Sequence, residues 1–439
     1  MDAAARKRGL AIVLAVVFLD LLGFGIIIPI LPYYTRSFPG GTEFVIGLLA
    51  ASYSAMQFVF APLLGSLSDR VGRRPVLVVS LLGSVVAWTV FGLAEALWLL
   101  FLARMLAGAM GGNLSTAQAY VADVTPPERR AAALGYIGAA FGLGFIFGPG
   151  IGAVLSFDAT IAAVDAVAPA AIPVTRFSLP SFAAAFFSLC GVVVALAFLP
   201  ESRSPGTAGR SERPSAIARL RAAVVTPGLR ELLSAFFLVS FAFSGVTVMF
   251  IPYVADVYGY TATQSALLLT YIGLLAVLTQ GVLIGRLTAR YGSVPLSLGG
   301  ATLLAVAVGA LPFSRTLGAV FPDLTGVAPF LTGDVLGLLA ILTLLPVGNG
   351  VLSVTLTALV SGRASADLQG SAFGVTQGAG SLARTVGPPV MGGLYAVVGY
   401  WAPFVAGSLL LLPVLLLVSR LGRDETPPDP RPADPGHVR

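Results

Sequence analysis

Charged residues are scarce in this sequence. They make up 10% of its 439 residues, against about a quarter in a soluble domain. So few charges cannot build a water-facing surface, and most of this surface must therefore meet lipid. Cysteine is nearly absent: Cys190 stands alone, which excludes an internal disulfide framework and a multi-cysteine metal site. The single histidine, His437, lies in a polar tail, so no histidine can relay protons inside a membrane. No nucleophile–base set and no metal-ligand cluster can be assembled, so neither an enzyme nor a metal or organic cofactor is expected.

Apolar residues supply the rest. They form 56% of the chain, in recurring stretches of about 20 residues, each long enough to cross a bilayer core of ~30 Å. The hydropathy pattern predicts an all-α membrane protein. Spans fall near residues 9–32, 44–64, 75–94, 97–120, 131–155, 180–199, 230–254, 262–284, 295–314, 333–358, 370–397 and 401–419. The first stretch is too long for a leader's apolar region and lacks a small-residue cleavage site, so it reads as the first span.

The net charge of +6 is explained by topology and not by a nucleic-acid partner. On these boundaries 21 of the 26 Lys and Arg lie on one side, in the N-terminus, the even-numbered loops, the central segment and the C-terminal tail. Arg36, Arg176 and Arg315 lie on the other side, and Arg104 and Arg384 fall within spans. This positive-inside bias predicts a multi-pass inner-membrane protein with both termini in the cytoplasm and an even number of spans.

The segment 200–229 interrupts the apolar pattern. Between Glu201 and Gly228 it holds seven charged residues and three prolines, the composition of a cytoplasmic linker. The Pro- and Asp-rich tail 421–439 is expected to be disordered. Two domains follow, 1–199 and 230–420. Their sequences echo each other. Pro32-Tyr33 recurs as Pro252-Tyr253, and Gly65, Leu67, Arg70, Gly72 and Pro75 recur as Gly285, Leu287, Arg290, Gly292 and Pro295, all at an offset of 220. Gly135 and Gly148-Pro149 recur as Gly374 and Gly387-Pro388 at an offset of 239, with the extra residues placed in the loop around 315–333. Two parallel six-helix repeats predict the major facilitator architecture, two pseudo-symmetric bundles with a site near the midplane between them.

Three features carry mechanism. The loop from Gly65 through Asp69, Arg70, Gly72, Arg73 and Arg74 to Pro75 combines glycines that permit a tight turn with basic residues that obey the inside rule. Asp69 is the acid among them. Placed near the N-terminus of span 11 it would act as a latch for the outward-facing state; the second repeat has Ala289 at that position. In span 5, Gly135, Gly144, Gly148, Pro149 and Gly152 form the second feature. Gly144, Gly148 and Gly152 recur every four residues on one face, allowing a neighbouring helix to pack closely, and Pro149 permits a bend. The third is Asp20, about eleven residues into span 1 and the only carboxylate deep in any predicted span. An acid at that depth faces a cavity or a partner. Burial favours its neutral form and a nearby cation its charged form, so a carboxyl between the two can load and release a proton. Arg104 in span 4 is the candidate cation. Arg384 in span 11 has no evident carboxylate partner, and could meet an anionic substrate or backbone carbonyls.

Tyr33, Gln57, Asn113, Phe145, Phe241, Tyr253, Gln280 and Gln377 are, with Arg384, the candidate lining of a substrate cavity, since mixed aromatic and amide side chains suit amphiphilic ligands. For each of them, helix packing is an equally good reading.

Taken together these motifs resemble the twelve-helix drug:proton antiporters of the major facilitator superfamily, and among them the bacterial tetracycline efflux proteins. The resemblance is carried by Asp20-x-x-Gly23-x-Gly25, Pro29-x-Leu31-Pro32, Met56-Gln57-Phe58-Val59-Phe60-Ala61-Pro62, the Ser68–Val76 loop and Gly142-Leu143-Gly144. It implies proton-driven export of small molecules, with Asp20 matching the family's span-1 aspartate, Arg104 its span-4 arginine, Gln57 its span-2 glutamine and Asp69 the acid of its loop. Ala153 stands where the family's span-5 motif ends in glycine. Ala87 and Ala276 stand where the tetracycline exporters carry a carboxylate and a histidine, and residues 295–314 lack their span-9 acid. These departures favour hydrophobic cargo other than tetracycline. An uptake symporter or facilitator for a metabolite would share the fold and remains the alternative. The expected partners are protons, a small-molecule substrate and the lipid bilayer, and the chain is expected to be a monomer.

Overall fold

The computed structural model describes residues 3–126, 129–202, 229–279, 284–326, 328, 330–363 and 369–423. The architecture is all-helical. Twelve long helices can be followed through the described residues: α1 Ala3–Ile27, α2 Glu43–Val71, α3 Arg73–Gly92, α4 Leu97–Val124, α5 Arg130–Leu155, α6 Ser178–Phe198, α7 Leu229–Tyr258, α8 Ala262–Leu278, α9 Ser293–Ala310, α10 Gly333–Arg363, α11 Gln369–Val397 and α12 Ala402–Arg423. Ten of them are long and apolar enough to cross a membrane; α8 is apolar but has 17 residues, and α11 is long but less apolar than the others. Short helices such as Leu31–Arg36 occupy the loops.

Apolar pattern and burial agree. α6 exposes Phe186, Leu189, Val193 and Leu196, and α12 exposes Leu409, Leu412 and Leu416, stripes at helical spacing that are stable only against lipid. The opposite faces pack into bundles. α1 packs on α5 and α6, and α3 on α4 and α6; in the second half α7 packs on α11 and α12, and α9 on α10 and α12. The bundles meet along α2 with α11 and α5 with α8, the two contacts that the repeat symmetry exchanges. That symmetry reaches the backbone: Gly72 and Gly292 both have positive φ, 105° and 77°, and each opens the helix that follows. Only glycine takes this conformation without strain.

One face carries the start of α1, the end of α12 and the Gly72 turn, and is called the basic face below. The opposite, far face is closed. Arg36 donates Nη1 and Nη2 to Asp256 at 2.7 and 2.8 Å, joining the end of the first span to the end of α7. The same guanidinium holds Glu43 at 2.7 Å, and Tyr395 of α11 donates to Asp256 at 2.6 Å. Tyr33 adds a second cross-bundle tie, donating to the Tyr260 carbonyl at 2.5 Å beside Ser265 Oγ at 2.8 Å. Just beneath, α2 and α11 touch so closely that a methyl group on Gly47 would clash with the backbone of Pro388.

Candidate proton and substrate site

Asp20 lies on α1 one turn towards the basic face from Phe24. Asn113 Nδ2 donates to its Oδ2 at 3.3 Å from α4. Asn113 reaches this position because α4 is interrupted at Gly112, whose own closeness to α2 leaves no room for a side chain: a methyl there would meet Ala61 N at 2.8 Å. Asp20, Asn113, Gln57, Ser84 and Trp88 line a cavity of about 30 Å³, room for one or two waters. Trp88 Nε1 is buried there without a hydrogen-bond partner among the described residues. Gln57 donates to the Gly111 carbonyl at 3.1 Å.

Arg104 does not pair with Asp20: among the described residues no ion pair joins them. The guanidinium is buried over aromatic faces instead, 4.5 Å from the Tyr53 ring centroid and 5.7 Å from that of Phe24, with Nε 3.5 Å from the Leu49 carbonyl. Desolvated stacking of this kind is worth about 2 kcal/mol, which reduces the need for a carboxylate. Tyr53 is the hub, its ring under Arg104 and 4.9 Å from that of Phe24. Neither Tyr53 nor Phe24 was expected from the sequence, although a signal was present: Tyr53 precedes Gln57, and Phe24 follows Asp20, by one turn on the same helix face. Phe145 of α5 completes the wall, its ring 6.1 Å from that of Phe24.

The glycines of α5 do two different things. A methyl on Gly148 would meet Gly25 Cα at 2.6 Å, one on Gly144 would meet Leu21 at 3.0 Å and one on Gly152 the Ile26 carbonyl at 2.9 Å. They form the seam on which α1, and with it Asp20, rests against α5. Gly135 meets nothing within 4 Å.

In the loop, Arg73 is a buried hub of the first bundle. It donates to Asp69 at 2.7 Å, Asp123 at 3.1 Å and Ser68 Oγ at 2.6 Å. Glu201 accepts from the Arg73 and Arg74 backbone N–H groups at 2.9 and 3.1 Å, capping α3. Arg74 donates to the Ala195 carbonyl, and Arg70 is exposed. A methyl on Gly65 would meet Ser115 Oγ of α4 at 3.3 Å. The described partner of Asp69 is thus on α3; the side chains at the start of α11, where a latch would close, lie outside the described residues.

The remaining candidates separate. Gln377 is exposed and Phe241 half-buried beside Phe237. Arg384 donates to Ser381 Oγ at 3.1 Å. Tyr253 does not line a cavity: it is fully buried in the second bundle, donating to the Leu311 carbonyl at 2.6 Å next to Ser314 Oγ. Tyr33, its repeat mate, belongs to the far-face closure. Gln280 lies outside the described residues.

Comparison with known proteins agrees with this geometry. The family model described as Major Facilitator Superfamily matches residues 13–384. The class G tetracycline resistance protein of Vibrio anguillarum is 31% identical over 415 residues, covering 93% of this chain and 96% of the relative. Among solved structures, the human organic anion transporter MFSD10 is 26% identical with a TM-score of 0.63, covering 94% of this chain and 99% of that one. A bacterial homolog of the human lysosomal transporter Spinster reaches a TM-score of 0.72 at 16% identity, a likeness of fold, covering 96% of this chain and 98% of that one.

Proposed function

The chain belongs to the Major Facilitator Superfamily, and from that premise we propose that it is a proton-coupled exporter of small amphiphilic or drug-like molecules working by alternating access. The observation that carries the reading is the placement of Asp20. Among the described residues it is the only carboxylate deep in a span, it adjoins a cavity that admits water, and no cation pairs with it because Arg104 is engaged by Tyr53 and Phe24. Such a carboxyl is free to change charge.

The basic face is the cytoplasmic one on the positive-inside rule, so the form described is closed to the outside. Cargo enters from the cytoplasm beneath the Arg36–Asp256 clasp and meets the Phe24, Tyr53 and Phe145 wall. The seam of Gly144, Gly148 and Gly152 lets α1 shift against α5 as the bundles rock, moving Asp20 between two exposures. A proton taken from outside and released inside drives cargo the other way. The similarity to tetracycline resistance proteins supports export as the direction.

The test is cargo-driven proton movement in proteoliposomes holding a pH-sensitive dye. Wild type should acidify or alkalinise the lumen on cargo addition, and Asp20→Asn should abolish the response while still binding cargo. Full coupling in Asp20→Asn would refute the reading.

A further inference from the structure

We propose that the proton has a route of its own inside the first bundle, running between α3 and α4 from Asp20 to the basic face and carried by the hydroxyls of Ser84, Ser80, Thr116 and Tyr120 with intervening water. This rests on the transport reading above and adds the proton's path to it.

The first argument is alignment. α3 and α4 run antiparallel, and two contacts fix their register. Near the basic face Arg73 Nε of α3 donates to Asp123 of α4 at 3.1 Å. Deeper in the bundle, Ser84 of α3 and Asn113 of α4 line the Asp20 cavity together. Leu77, Ser80 and Ser84 follow Arg73 at i+4, i+7 and i+11 on one face of α3, and Thr116, Tyr120 and Asp123 follow Asn113 at i+3, i+7 and i+10 on one face of α4. Ser80 lies one turn from Ser84, and Thr116 one turn from Asn113, each about 5 Å towards the basic face at the helical rise. The two hydroxyls therefore stand at one level on facing sides. Leu77, beyond Ser80, also lines the cavity, so the space beside Asp20 extends in that direction. Tyr120, one turn beyond Thr116, carries its hydroxyl to the basic face, where it donates to the Pro200 carbonyl at 2.9 Å.

The second argument is hydrogen bonding. Elsewhere in the protein buried hydroxyls are satisfied locally: Thr35, Ser181, Ser297 and Thr355 each donate to the carbonyl four residues back, at 2.6–2.8 Å. Ser80 Oγ and Thr116 Oγ1, on side chains 0% exposed, make no such bond and have no partner among the described residues. Trp88 Nε1, at the other end of the cavity, is likewise unpartnered. Buried polar groups are rarely left so. One water between Ser80 and Thr116 satisfies both and joins them to a water in the cavity beside Ser84 and Asp20.

The third argument is what stands on the other side. Towards the cargo wall the cavity is lined by Phe24 and Phe141, rings that carry no proton, and by Tyr53 and Gln57, held by Arg104 and the Gly111 carbonyl. The hydroxyl file leads away from that wall and ends near Asp123, which also accepts from Ser202 at 3.2 Å. The transfer balances. The Asp20 O–H bond breaks and leaves a carboxylate, each water and hydroxyl takes one proton and passes on another, and one proton leaves at the basic face by way of Asp123.

The experiment uses the full chain in lipid nanodiscs and needs no cargo. Rapid mixing from light into heavy water shifts the infrared band of the protonated Asp20 carboxyl, assigned by its loss in Asp20→Asn, and the rate of that shift reads proton access to the group. The double variant Ser80→Ala with Thr116→Val should slow the shift about tenfold, as loss of a hydrogen-bonded link predicts, while Thr116→Ser, which keeps the hydroxyl, should stay within about twofold of wild type. Ser80→Ala alone, the smaller change, should slow it in the same direction. Ser188→Ala removes a hydroxyl equally buried and unpartnered, but on α6 and away from the cavity lining, and should leave the rate as in wild type. An unchanged rate in the double variant, equal slowing by Ser188→Ala or Thr116→Ser, or a wild type without an exchangeable Asp20 band would overturn the proposal. Cargo-driven proton movement is read separately. A slowed shift in the double variant, with no coupled flux in wild type, would refute the antiport reading and leave the route standing.

Discussion

Removing the cross-bundle half of the far-face clasp should open that face by a calculable amount. Asp256→Asn keeps the shape of the side chain and leaves Tyr395 an acceptor, while Arg36 still has Glu43 on its own bundle. The substitution therefore removes the Arg36–Asp256 attraction and leaves no charge stranded. The pair makes two short bonds, 2.7 and 2.8 Å, but its side chains are 25% and 41% exposed. Exposed pairs are worth about 0.2–1 kcal/mol, and hydrogen bonds to charged groups about 1.5–3 kcal/mol. A value of about 1–2 kcal/mol lies between them and multiplies the far-side-open to far-side-closed ratio by about 5–30. Pulsed electron paramagnetic resonance between spin labels at Ser37 and Val398, in a background with Cys190 replaced, reads that ratio as the weight of the longer distance. Arg36→Gln should act similarly, and the double variant should open no further than either single one, since both remove the same bond. High salt should shrink the difference. An unchanged distance distribution in Asp256→Asn, or single effects that simply add, would refute the reasoning.

Two further substitutions test the packing assignments. Gly148→Val puts a branched side chain where a single methyl already meets Gly25 Cα at 2.6 Å; it should cost about 1–3 kcal/mol, seen as a lower melting temperature, and should slow transport. Gly135→Ala, with nothing within 4 Å, should melt like wild type. Tyr253→Phe should also lower the melting temperature, by about 1–3 kcal/mol of lost buried hydrogen bonding, while leaving cargo preference unchanged in a growth-inhibition panel. A changed preference would return Tyr253 to the cavity wall.

The parts of the fold that were legible in the sequence are those set by local physics. Lipid-facing stripes and turn glycines announce themselves by spacing and composition, and Gly72 and Gly292 kept the same backbone conformation across the repeat. Asp20 was legible because an acid at that depth is costly enough to require a reason. The seam at Gly144, Gly148 and Gly152 was legible as a helix contact, but α1 as its partner was not. Choice of partner is a tertiary matter. Arg104 was expected to turn to the nearest acid by charge alone, whereas in the fold it is surrounded by Tyr53 and Phe24. Tyr33 and Tyr253 occupy equivalent positions in the repeats, yet one ties the bundles together and the other is locked inside its own. Pseudo-symmetry preserves where a side chain starts and not what it meets.

The account depends most on Asp20 changing charge between conformations. Infrared difference spectroscopy can follow its carboxyl band, assigned by its disappearance in Asp20→Asn, in wild type, whose far face is closed by the Arg36–Asp256 clasp, and in protein opened by Asp256→Asn. The account predicts that the pH at which the band titrates differs between the two forms. A band fixed in one protonation state in both, across the physiological range, would contradict it.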